Sequence, residues 1–133
     1  MRRFLIDTSG YSAFKRGAAE VIAAVEDADE VYLNATVFGE LLGGFKRSRR
    51  QAANLAALRE FVESPRVNIV EIDEETAERY ADIYNGLRAA GALIPTNDMW
   101  IAASAMQHGL PLLTLDGHFE RIPQIVTVPL SER

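Results

Sequence analysis

The chain has 133 residues, no cysteine and a net charge of −5. That excludes disulfides, thiolate zinc sites and cysteine nucleophiles, and weighs against a protein that coats nucleic acid by bulk charge. No apolar run approaches the roughly 20 residues of a membrane span, and the apolar part of MRRFLIDTSG is too short for a signal peptide, so the expectation is one cytoplasmic domain over residues 1–133.

In chain order, Arg3–Ile6 reads as a first strand, followed by helices over Ser9–Lys15 and Ala18–Asp27 that are broken near Gly17. In the second helix Val21, Ile22, Val25 and Ala28 keep helical spacing. Val31–Asn34 is a second strand, and the Thr36 hydroxyl is the expected cap of the next helix. That helix carries Val37, Glu40, Leu41 and Gly44 on one face, because residues three and four apart are neighbours. Gly43 and Gly44 allow two readings, close backbone approach or a bend.

Arg49–Glu63 is expected to be an amphipathic helix with Ala52, Leu55, Ala56, Leu58 and Val62 inward. Val67–Ile72 is a third strand, and Asp73 caps a long helix whose inward face is Ala77, Tyr80, Ala81, Tyr84 and Leu87, ending at Gly91. Asn97–His108 is the next helix, with Asn97 a candidate cap; Pro111–Leu115 is a fourth strand and Ile125–Val128 an edge strand. Alternation of strand and helix predicts a mainly parallel sheet in a Rossmann-like α/β/α sandwich.

Four acids stand out in that layout. Asp7 and Asp116 each end an apolar run, Asp98 opens an apolar helix, and Glu40 lies inside one. Each Asp has an ordinary explanation: a helix N-cap for Asp7, first-turn dipole compensation for Asp98, a turn Asp-Gly pair for Asp116. Glu40 has none, because a mid-helix carboxylate on an inward stripe is costly unless paired or metal-bound. Carboxyl ends of parallel strands share the sheet edge where α/β ligand sites form. Like charges about 4 Å apart repel by ~4 kcal/mol at an effective dielectric near 20, so such a cluster points to an Mg²⁺ or Mn²⁺ site.

Thr8, Ser9, Asn97 and Thr114 are the hydroxyl and amide groups expected to support the acids. The run Lys46, Arg47, Arg49 and Arg50 is either a solvated face or turn, or a patch contacting RNA or a partner. His108 reads as a helix-end residue, His118 as surface or structural with a phosphate contact as the alternative, Trp100 as core or interface rather than base stacking, and Tyr11 and Phe14 as core with a partner groove as the alternative.

The strings LIDTSGYS, VFGELLGG, NDMWIAASA and LLTLDGHF, in this order, resemble the PIN-domain ribonucleases over essentially the whole chain, and within them the VapC-type toxins of toxin–antitoxin pairs. The resemblance implies a Mg²⁺- or Mn²⁺-dependent endoribonuclease that leaves 5′-phosphate and 3′-hydroxyl ends. It matches Asp7, Glu40, Asp98 and Asp116 to catalytic, metal-holding acids. It also implies a homodimer and a cognate VapB-type antitoxin, assembled as a hetero-tetramer or larger. Many members carry a further acid where this chain has His118. Two other readings remain: a non-catalytic acidic pocket that grips a basic partner tail, and a Mg²⁺-dependent phosphatase or phosphoreceiver domain, for which DTSG lacks the second Asp of D-x-D and no lysine accompanies the acids.

Overall fold

The structure is a computed structural model and describes residues 1–130. Four parallel strands, β1 (Arg3–Ile6), β2 (Glu30–Asn34), β3 (Val67–Val70) and β4 (Leu112–Leu113), lie in the order β3-β2-β1-β4. Helices α1 (Thr8–Arg16) and α2 (Ala19–Asp27) link β1 to β2. α3 (Ala35–Lys46) and α4 (Gln51–Glu63) link β2 to β3, and α5 (Glu74–Ala89) and α6 (Thr96–His108) link β3 to β4. With right-handed crossovers, the chain that steps outward from β1 to β3 and returns to β4 places its first two helix pairs on one face and α5 with α6 on the other. The expected α/β/α arrangement is therefore present.

Both sheet faces are covered, and the strand residues at the sheet's centre are correspondingly apolar. Leu5, Ile6, Val31, Leu33, Leu112 and Leu113 are fully buried. α1 lies so close to the sheet that a Cβ on Gly10 would stand 2.6 Å from the Leu113 carbonyl oxygen and 2.8 Å from Ile6 Cγ1. The glycine of DTSG is thus a packing requirement. Gly17 ends α1 at φ 91°, the break expected there.

Several boundaries differ from the sequence reading, each for a local reason. The cap of α3 is Asn34, not Thr36: its Oδ1 accepts the Val37 N–H at 3.1 Å. Asn34 is fully buried, and its Nδ2 donates to Ser104 Oγ at 2.9 Å and to the Trp100 carbonyl at 3.3 Å. One residue thereby closes β2, opens α3 and ties both to α6. β3 stops at Val70 rather than Ile72 because its partner β2 ends at Asn34, paired with Val70, and turns into α3. β4 shrinks to two residues, and the expected edge strand is a single parallel bridge from Thr127 to Leu112.

α4 begins at Gln51, leaving Arg49 and Arg50 in the preceding turn; Leu58 is buried, but Ala52 and Ala56 are exposed. On α5, Thr76, Ile83 and Leu87 are buried while Ala77 and Ala81 face solvent. Polar Thr76 displaces alanine from the inward stripe because its hydroxyl has partners in Asp73, within the capping box, and in Gln107 of α6. Asn97 is not a cap: α6 starts after Pro95, which has no capping side chain. Trp100 stacks on Tyr80 with centroids 4.1 Å apart, and Tyr11 packs edge-on against Phe61 at 5.2 Å, beside Phe14. Among the described residues no helix is long and apolar enough to cross a membrane.

Asn34→Ala is expected to cost about 2–4 kcal/mol, combining a lost N-cap with the stranding of the buried Ser104 hydroxyl. Urea denaturation measures it; an unchanged midpoint would show that the three hydrogen bonds contribute nothing net.

Candidate metal-dependent active site

β1 and β4 are neighbours although the chain leaves them for different sides of the sheet, and a crevice forms beyond their carboxyl ends. It is a cleft of about 640 Å³ lined by Asp7, Thr8, Ser9, Ser12, Gly39, Glu40, Gly43, Arg47, Asn97, Asp98 and Asp116. All four acids singled out from the sequence therefore meet in one cavity.

Asp7 is both the helix cap and a wall of the cleft. Its Oδ1 accepts the Gly10 N–H at 2.7 Å and the Ser9 hydroxyl at 2.8 Å, and its Oδ2 accepts the Thr114 hydroxyl at 2.6 Å. Only 3% of the residue is exposed. Burial raises its pKa above the ordinary aspartate value; the hydrogen bonds from Thr114, Gly10 and Ser9 oppose that, and the charge of Asp116 adds to it. Thr114 is shared, since its hydroxyl oxygen also accepts the Asp116 N–H at 3.0 Å. Ser9 Oγ likewise accepts the Leu115 N–H at 2.9 Å, holding the loop after β4 against the loop after β1.

Glu40 projects from α3, where Val37 and Leu41 anchor the same face in the core. The Thr8 hydroxyl donates to its Oε1 and the Asn97 amide to its Oε2, the latter at 3.1 Å. Gly39 and Gly43 lie along this wall, and the space beside both is open. The glycines of α3 thus neither bring another backbone close nor break the helix, which runs on to Lys46.

Asp98 sits in the first turn of α6, facing His118. The His118 Nδ1 stands 3.1 Å from Asp98 Oδ2 and 3.2 Å from Asp116 Oδ1. The His118 N–H also donates to Asp116 Oδ1, at 2.9 Å, as Asp116 caps the short 3₁₀ turn Gly117–Arg121. Burial holds the Asp98 pKa above the ordinary value; the charges of Asp116 and Glu40 push the same way, and the His118 ring opposes them.

His118 is the residue that sequence reasoning undervalued. The available signal was its position two residues after Asp116, across a tight Asp-Gly turn. Of the basic run, only Arg47 reaches the cleft lining; Lys46, Arg49 and Arg50 do not.

These donors suit a divalent cation. Asp98, Asp116 and His118 each offer a ligand atom, all within 4.8 Å of one another. Asp7 and Glu40 stand in the same cleft outside that tight group. The raised Asp7 and Asp98 pKa values mark negative charge that the fold alone leaves poorly compensated.

Residues 4–125 match the PIN domain family. The ribonuclease VapC of Rickettsia bellii is 33% identical over 133 residues, covering 96% of this chain and 98% of that protein. The solved structure of VapBC-1 from nontypeable Haemophilus influenzae shares the fold, with a TM-score of 0.85 at 24% identity over 98% of this chain and 99% of that one. VapBC-5 of Mycobacterium tuberculosis, a member of the VapBC family of toxin–antitoxin systems, matches at 25% identity and a TM-score of 0.75, over 96% of this chain and 100% of that one. The parallel sheet, the acids at its carboxyl edge and these similarities lead to one conclusion: the chain belongs to the PIN-domain family and, within it, to the VapC type.

Proposed function

We propose that this protein is a divalent-metal-dependent endoribonuclease, the toxin of a toxin–antitoxin pair. The observation that carries the reading is the meeting of Asp7, Glu40, Asp98 and Asp116 in one cleft at the carboxyl edge of the sheet. Its support is the kinship with a protein named ribonuclease VapC.

Asp98, Asp116, Glu40 and Asp7 hold the cation, Mg²⁺ or Mn²⁺. Such an ion offsets the carboxylates' repulsion, lowers the pKa of a water and neutralises charge on a phosphoryl group. The rest falls to the chain. Thr8 and Asn97 fix the Glu40 carboxylate from both oxygens, so it meets the substrate without reorienting. Ser9 and Thr114 fix Asp7 and, through the Leu115 and Asp116 N–H groups, the spacing of the two strand-end loops. Arg47 is the one cation lining the cleft among the described residues, and it holds an RNA phosphate beside the acids. Among the described residues no lysine lines the cleft, and nothing in its lining favours the phosphoreceiver reading.

The partner is a VapB-type antitoxin, by analogy with the VapBC assemblies of the solved relatives. A homodimer, and a hetero-tetramer or larger assembly with the antitoxin, belong to the same proposal.

Purified protein should cleave an unstructured RNA with Mg²⁺ or Mn²⁺ and stop in chelator; equal cleavage in both refutes the metal requirement. Arg47→Ala should weaken RNA binding, and the slope of log affinity against log salt should fall by about 0.7, one phosphate contact on single-stranded RNA. The triple replacement of Lys46, Arg49 and Arg50 by Ala should change cleavage less than Arg47→Ala alone. The reverse order would assign the RNA path to the turn before α4.

A further inference from the structure

One nitrogen donor stands against the proposed cation site, on a residue that does not itself line the cleft but touches two that do. His118 Nδ1 stands between two carboxylates of different elements, 3.1 Å from Asp98 of α6 and 3.2 Å from Asp116 of the β4 loop. Three ligand atoms within 4.8 Å of one another, two oxygens and one nitrogen, form the compact donor group of the described residues. The His118 main chain is tied to the same carboxylate, since its backbone N–H donates to Asp116 Oδ1.

We infer that His118 is a metal ligand, and that its nitrogen gives the site a preference for a first-row transition ion such as Mn²⁺ over Mg²⁺. The inference rests on the metal-dependent reading of the cleft and names the class of ion that cleft takes. Mg²⁺ is a hard ion that takes oxygen ligands in near-ideal octahedral geometry and parts with water reluctantly. Imidazole suits transition ions, so exchanging one oxygen donor for nitrogen favours them relative to Mg²⁺. The main chain of His118 lies in the 3₁₀ turn capped by Asp116, and the neighbouring Phe119 is buried in the core, so the residue is anchored beside both carboxylates. A cation held by Asp98 and Asp116 would have this nitrogen within reach.

The test uses Mn²⁺ itself as the probe on the full chain. Pulsed electron paramagnetic resonance of bound Mn²⁺ detects a directly coordinated ¹⁴N. The modulation should be present in the parent and in His108→Gln, and absent in His118→Gln with Mn²⁺ still bound. In His118→Asp, the Mg²⁺ concentration that displaces Mn²⁺ should fall about tenfold. Asp98→Asn serves as the control for the site. If Mn²⁺ binds, is weakened by Asp98→Asn and shows no ¹⁴N modulation, His118 is not a ligand and the carboxylate site stands without it. If Mn²⁺ fails to bind the parent, or binds Asp98→Asn equally well, both the inference and the metal-site reading fall.

Discussion

Asp98→Asn and Asp116→Asn are each expected to reduce RNA cleavage by about 10²-fold or more, while the metal-free protein remains at least as stable as the parent. The geometry spares both folds. Asn keeps an oxygen for the His118 contacts that Asp98 and Asp116 accept. For Asp98 the electrostatics go further. A first-turn position favours a negative charge by about 0.3–1 kcal/mol at exposed sites, yet burial raises the Asp98 pKa, so desolvation wins. A carboxyl whose folded pKa lies above 3.8 binds its proton more tightly in the native state than in the unfolded one. Metal-free stability from this group is therefore present at low pH and lost as pH rises from 3.8 through the folded pKa. The difference in Tm between Asp98→Asn and the parent, measured in chelator, should be near zero at the acid end and reach its full positive value by neutral pH. A clear drop in Tm at neutral pH would mean that Asp98 acts chiefly as a helix-end stabiliser.

Gly10→Ala should be the most damaging single methyl group in the chain. The new Cβ would meet the Leu113 carbonyl oxygen at 2.6 Å, and both Ile6 Cγ1 and Leu113 Cδ2 at 2.8 Å. The carbonyl cannot retreat easily, because it accepts the Asp7 N–H at 3.2 Å in the pairing of β1 with β4. α1 must move instead, and the Gly10 N–H moves off Asp7 with it. Overpacking of this kind costs about 1–3 kcal/mol, sometimes more, or about 3–4 °C in Tm for each kcal/mol at this length. Calorimetry decides the matter; a Tm equal to the parent's would show that α1 is not seated against Leu113.

Asp7, Asp98 and Asp116 were readable because each ends or opens an apolar run, Glu40 because a carboxylate on an inward helix stripe has no ordinary explanation, and alternation of strand and helix brings strand ends to one edge. Asp7 shows why single residues mislead. Its capping of α1 and its place in the cleft were rival explanations in the sequence, yet the structure has both, since the helix that Asp7 caps is the one that holds it at the strand end. His118 was undervalued because a two-residue turn sets its direction and no periodicity reports on turns. Asn34 was hidden for a related reason: it read only as the last residue of a strand, and its hydrogen bond to Ser104 comes from α6, 70 residues further along the chain. The structure divides the basic run at the end of α3. α3 ends at Lys46, and only Arg47 stays in register with Gly43 and Glu40, four and seven residues earlier, to follow their face into the cleft.

The claim that these acids form one cation site is tested most directly by thermal melting. The parent, Asp7→Asn, Glu40→Gln, Asp98→Asn and Asp116→Asn would each be melted in chelator and with saturating Mn²⁺ or Mg²⁺. Metal at 100 times its dissociation constant should stabilise the parent by about 2.7 kcal/mol, and every one of the four substitutions should remove most of that gain. If the parent gains nothing from metal, or if the variants gain as much as the parent, the four carboxylates share a cleft but not an ion.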